Sequence, residues 1–123
     1  MDLIGFTDEQ KKTLLDLLVI GMYADGSLAD AEDAKIDAVL DTITFPSESD
    51  RDRFIDASFA RARQLLESPQ STRNFVAAIA RQFPTPEIRR KACAELEDLI
   101  ASDNKIAEKE SELLAIVREE FKL

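Results

Sequence analysis

Histidine and tryptophan are absent from this chain, and cysteine and tyrosine occur once each. Without histidine there is no imidazole to activate a serine or cysteine nucleophile, and no His-ligated zinc or iron. One cysteine excludes both a Cys₄ zinc site and an intramolecular disulfide. Glycine (3) and proline (4) are scarce, so the chain has few places to turn tightly. That argues against a β-sandwich, which needs many turns. The opening residues MDLIGFTDEQ lack the basic region and small-residue cleavage site of a signal peptide. The strongest apolar run, Leu14 to Ala24, is interrupted by Asp16 and is too short to span a bilayer. These absences lead to the expectation of a cytoplasmic protein without membrane insertion, its Cys93 reduced.

What remains is 123 residues, 45% apolar and 33% charged, enough for one domain over residues 1–123 with a real core. The net charge is −9, which repels nucleic-acid phosphates and anionic lipid, so no nucleic-acid partner is expected. The charge is uneven. Residues 1–50 carry 12 acids against 3 bases, residues 51–90 carry 4 acids against 8 arginines, and residues 91–123 carry 9 acids against 5 bases. Charge runs usually pair or solvate, so the arginine-rich middle reads as a complement to the acidic ends. The alternative is a basic site for an anionic partner.

Apolar spacing is helical nearly throughout, and the expected fold is all-α, a compact bundle of about six helices. Thr7, with Gln10 three residues later, forms a capping box that opens a helix running to Ala24. Leu14, Leu17, Leu18, Gly21 and Met22 share one face, and Leu15, Val19 and Ile20 widen it, so this helix belongs in the centre. Gly21 leaves room for another helix to approach. A second helix is expected over 30–43, with Ile36, Val39, Leu40 and Ile43 inward. It ends at Phe45-Pro46, because a residue before proline avoids the α region. A third helix over 49–67 turns Phe54, Ile55, Phe59, Ala62, Leu65 and Leu66 inward. Ser68-Pro69 and Thr85-Pro86 each read as an N-cap followed by proline in the first turn, starting helices to Gln82 and Ser102. The fourth carries Phe75, Val76, Ala78, Ile79 and Phe83, and the fifth Ile88, Ala92, Leu96, Leu99 and Ile100. A last helix over 108–121 carries Leu113, Leu114, Ile116, Val117 and Phe121.

Two segments repeat at an offset of 78 residues: ADGSLADAEDAKIDAVL from Ala24 and SDNKIAEKESELLAIVR from Ser102. Asp25 matches Asp103, Gly26 matches Asn104, Leu28 matches Ile106 and Glu32 matches Glu110. Gly and Asn are the residues that tolerate positive φ after a helix end. If Ala29 and Ala107 are N-caps, Glu32 and Glu110 fall at the third helical position, where a carboxylate favours the positive helix end. Tight interhelical turns of this kind account for the whole motif. The other reading is a divalent-cation site, in which Asp25, Glu32, Asp103 and Glu110 converge as oxygen ligands suited to Ca²⁺ or Mg²⁺. The loops are not EF-hands, since position 12 counted from Asp25 or Asp103 is Ile36 or Leu114 rather than glutamate.

At these residues the chain resembles the TerB-like family of tellurite-resistance proteins, related to the N-terminal domain of DjlA-type co-chaperones. The paired Asp-[Gly/Asn]-x-[Leu/Ile]-x-x-x-Glu segments and Tyr23-Ala24 before the first carry the resemblance, which spans about Leu14 to Phe121. It implies an all-helical stress-response or protein-interaction module with an acidic cation site, and a protein partner in a membrane-associated stress complex. No cofactor other than Ca²⁺ or Mg²⁺ is expected. An acidic cation-binding domain as the primary role is a second possibility. A carboxylate-based hydrolase is a third, and it lacks the aromatic platforms such clefts usually use.

Overall fold

A computed structural model of the chain describes residues 3–24, 30–101 and 108–123, with residues 30–33, 108 and 109 described by their backbone alone. It contains six helices and, among the described residues, no strand: α1 (Asp8–Ala24), α2 (Asp30–Leu40), α3 (Glu48–Leu65), α4 (Pro69–Gln82), α5 (Pro86–Ala101) and α6 (Glu108–Glu120). This is the all-α bundle the periodicity calls for. The positions of Gly26 and Asn104, read as left-handed turn residues, lie outside the described residues.

The helix starts follow local chemistry. The Thr7 N–H donates to Gln10 Oε1 at 3.0 Å and the Gln10 N–H donates to Thr7 Oγ1 at 3.1 Å, a complete capping box. Ser47 caps α3 by accepting from the Asp50 N–H, and Ser68 caps α4 by accepting from the Ser71 N–H. Thr85 Oγ1 accepts from the Ile88 N–H ahead of α5. The end of α6 closes with two bonds, Leu123 N–H to the Arg118 carbonyl and Lys122 N–H to the Glu119 carbonyl, around Lys122 at φ 59°.

Helix α2 stops at Leu40, earlier than Ile43. The Thr42 hydroxyl donates to the Val39 carbonyl at 2.7 Å, and Lys11 Nζ donates to the Thr42 carbonyl. The Thr42 and Ile43 N–H groups bond to the carbonyls three residues back, Val39 and Leu40, so the chain tightens out of the α-helix, and Pro46 has no N–H with which to continue it.

Helix α1 is the axle. It packs against all five other helices, and Leu14, Leu15, Leu17, Leu18, Val19, Ile20 and Met22 are each at most 1% exposed. Gly21 is where α5 and α6 come closest to it. A Cβ at that position would lie 2.6 Å from Leu96 Cδ1, 3.4 Å from Leu99 Cδ2 and 3.9 Å from Leu113 Cδ2. One end of the core is a file of rings, Phe6 edge-on to Phe83 and Phe83 edge-on to Phe121, each pair 5.9 Å apart.

Helix α3 departs from expectation. Its buried residues are Ser58 and Ala62, while Phe54, Ile55, Phe59 and Leu65 are only half-buried against the core. The reason is placement: α3 lies on α1 and α4 and makes no extensive packing with α2, so among the described residues no helix covers one edge of its apolar stripe. In α4 the core position is Ala80 rather than Ala78, which is exposed.

Candidate functional site

The acidic turns come first, because the sequence singles them out. Asp25 and Asp103 lie outside the described residues, as does the side chain of Glu32. The bounds of α2 and α6 nevertheless put Glu32 and Glu110 at the third helical position of each. Glu110 is fully buried, at 0% exposure, so it is not a solvated surface cap. Beside this end of the bundle, Lys35 of α2 reaches across to α5 and pairs with Glu95 at 2.7 Å and, less closely, with Asp98 at 3.8 Å. Glu95 is 5% exposed, so the pair is withdrawn from water and depends on its short geometry to offset the loss of hydration. It fixes the direction of α2. Among the described residues no group of three or more His, Cys, Asp or Glu side chains is arranged to hold a metal ion.

The arginine-rich middle finds its partners at the acidic ends. Arg51 pairs with Asp41, Arg61 with Asp16, and Arg73 with Glu119 and Glu120, all between 3.0 and 3.2 Å. Arg89 donates to the carbonyls of Phe83 and Ala80 and so satisfies the end of α4. Arg63 lies over the Tyr23 ring and donates to its hydroxyl. Three of the eight arginines of this segment thus complement acidic residues, and two more are engaged by carbonyls or a tyrosine.

Asp16, which in the sequence only interrupts an apolar run, turns out to be a junction. It accepts from the Ser58 hydroxyl at 2.7 Å and from Arg61 Nη1 at 3.0 Å, joining α1 to α3. Burial holds its carboxyl above the ordinary aspartate value; the Ser58 hydrogen bond and the Arg61 charge pull it back only in part. Arg61 also lies 5.5 Å over the Phe75 ring. Ser58 sits 42 residues from Asp16, so no local pattern marks the pair. The one hint in the sequence was a serine on the inward face of α3.

Cys93 is buried, and its thiol donates to Glu97 Oε1 at 3.4 Å. Burial first and the neighbouring Glu97 carboxylate second push the thiol up to about 11, so thiolate is scarce at neutral pH. This is the environment of a small packing residue.

Among the described residues a broad concavity lies between α2 and α3. A hollow of about 560 Å³ is lined by Ile36, Asp37, Leu40, Arg51, Ile55 and Phe59, among others. A second, of about 370 Å³, continues from it past Glu48 and Arg51 to Ile43 and Phe45. The floor is apolar: Ile36 and Leu40 are buried beneath it, and Ile55 and Phe59 stand half-open along the α3 side. Two aromatic pairs stiffen that side, Phe59 edge-on to Tyr23 and Phe45 tilted against Phe54, each at 5.7 Å. Lys12 of α1 lies 5.3 Å over the Phe45 ring and holds the connecting segment down. The individual apolar residues were legible in the sequence as helix faces. That an exposed subset of the phenylalanines could form a groove was also legible, but its place was not, because it is a gap between two helices that share a neighbour without covering each other.

Against protein-family models, curated proteins and solved structures, the chain finds no match.

Proposed function

We propose that this chain is a non-enzymatic protein-interaction module of TerB-like type, serving a cytoplasmic stress-response assembly, and that a helix of a partner protein docks between α2 and α3. The observation that carries the reading is the row of half-buried apolar side chains, Ile55 and Phe59 above Ile36 and Leu40, along a groove open to solvent. A concavity with apolar side chains at its floor and charged residues at its rim has the anatomy of a protein-binding surface, an apolar centre within a polar rim. An amphipathic helix is the element that fills such a trough with side chains at one face. The TerB-like part of the proposal draws on the two acidic turns and on the all-helical fold in which they sit. The buried, weakly acidic thiol of Cys93 fits a non-catalytic role.

The test is site-specific photocrosslinking in the living source cell. A benzophenone amino acid replaces Ile55 in one variant and the exposed Ala94 of α5 in another. A discrete protein adduct formed from position 55 and not from position 94 supports the module. Equal crosslinking from both positions, or none from either, would overturn it.

A further inference from the structure

We infer that the occupant of the α2–α3 groove is a basic amphipathic helix, with apolar residues facing the floor and lysines or arginines along both edges. This rests on the reading of the groove as a docking site. It adds the chemistry of the partner, which follows from the rim.

The rim is acidic and its acids are uncommitted. Asp37 stands on the α2 edge, Glu48 and Asp52 on the α3 edge, all three exposed. Among the described residues none of the three is in an ion pair. Of the three bases nearby, Lys35 pairs across to Glu95 and Asp98, Arg51 is held by Asp41, and Arg53 does not line the groove. From residue 30 to residue 56 the chain carries nine acids against three bases. A low-dielectric floor flanked by unneutralised carboxylates attracts cationic partners and turns away anionic ones.

That charge decides between occupants. A second copy of this chain would bring another net charge of −9 to an already acidic rim. Anionic lipid and nucleic acid are repelled for the same reason. A helix suits the shape: the α3 side of the trough is lined from Glu48 to Phe59, about 16 Å or about three turns, while α2 lines it from Ile36 to Leu40. Over that length, apolar residues at i, i+3, i+4 and i+7 reach the floor, while flanking cations reach both edges.

The experiment uses the whole chain and three synthetic peptides of about 14 residues, enough for about four helical turns. One has leucines at i, i+3, i+4, i+7 and i+11 with lysines at the flanks. The second replaces the lysines with glutamates, and the third scrambles the lysine peptide. Binding is read by amide shifts in a ¹⁵N spectrum and by titration at low and high salt. The expected result is saturable binding of the lysine peptide, with shifts centred on Ile36, Leu40, Ile55 and Phe59. High salt should weaken it at least about tenfold, since exposed charges are screened. The variant Asp37→Lys/Glu48→Lys/Asp52→Lys alters only exposed positions, so the fold should persist, and it should lose at least about tenfold in affinity. Equal binding of the glutamate or scrambled peptide would overturn the inference. So would shifts outside the groove, indifference to the triple charge reversal, or a concentration-dependent dimer whose shifts map to the groove. Site-specific crosslinking at Ile55 combined with any of these results would sink the basic-helix partner and leave the module standing.

Discussion

Helices α1 and α3 lie against each other and are nearly equal in length, 17 and 18 residues, yet their burial is opposite. Nine residues of α1 are buried; in α3 only Ser58 and Ala62 are. The cause is in the two sequences. Helix α1 is apolar round most of its circumference from Leu14 onward, so it is stable only where every side is covered. Helix α3 carries charges at Glu48, Asp50, Arg51, Asp52, Arg53, Asp56, Arg61 and Arg63, which must face water. Its apolar stripe is wider than α1 and α4 can cover. The surplus, Ile55 and Phe59, lies open beside α2. Burial is therefore concentrated at α1, and half-open apolar surface at α3.

The strongest way to break this contrast is to crowd α1. Gly21→Val would force a branched side chain into the space where a Cβ already meets Leu96 Cδ1 at 2.6 Å. The expected loss is about 3 kcal/mol, since overpacking a filled core commonly costs about 1–3 kcal/mol and a branched residue stands at the upper end. Gly21→Ala should cost less, because it regains about 1 kcal/mol of helix propensity. Adding Leu96→Val to Gly21→Ala should recover part of that loss. Urea unfolding measures all three. If Gly21→Ala instead stabilises by the full helix-propensity gain, α5 does not approach α1 as closely as described.

That glycine was legible as a place of close approach, because a glycine inside an apolar helix has few other uses. The Thr7–Gln10 capping box and the Ser68-Pro69 and Thr85-Pro86 starts were legible for the same reason: the chemistry is local, within three or four residues. The exposure of α3 was not. Periodicity gives the direction in which Phe54, Ile55 and Phe59 point, and says nothing of whether another helix covers them. The Asp16–Ser58–Arg61 junction was hidden because it spans two helices. The early end of α2 was hidden because periodicity does not separate an α-helix from the tighter turn that Thr42 and Ile43 make, bonding to the carbonyls three residues back. Of the four acidic residues singled out by the repeat, only the side chain of Glu110 is described, and it is buried rather than solvated.

A second, smaller effect sharpens the comparison from the α3 side. Phe59 is half-buried and keeps one edge-to-face contact with Tyr23. Phe59→Ala should cost about 1–2 kcal/mol, less than the about 3–5 kcal/mol of emptying a fully buried phenylalanine site. The fully buried Phe83, at 0% exposure, supplies the internal standard. Phe83→Ala and Phe59→Ala measured side by side by thermal and urea unfolding should differ by at least about 1.5 kcal/mol. Equal losses would mean that α3 is as much a part of the interior as α1, and the surplus apolar surface would vanish with that result.

The smallest effect lies on the seam between the two helices and depends on pH. Burial holds the Asp16 carboxyl above its ordinary value of 3.8, with Ser58 and Arg61 opposing in part. The native state therefore binds this proton more tightly than the unfolded chain does. Below the ordinary value Asp16 is protonated in both states and adds no pH dependence. As pH rises from there through the raised native value, the unfolded chain gives up its proton first, and the folded state loses stability relative to it. Above the native value the loss is complete and constant. Asp16→Asn removes this titration and keeps an acceptor for the Ser58 hydroxyl. It also gives up the pair with Arg61, whose guanidinium is 42% exposed, so that pair contributes about 0–1 kcal/mol. The stability of the variant relative to the wild type should thus move in the variant's favour across this acidic window and then level off. Denaturant unfolding at a series of pH values from 3 to 7 measures it. A relative stability that moves against the variant as pH rises would show that the Arg61 charge outweighs burial, and that α1 and α3 are joined by an ion pair rather than by a strained one.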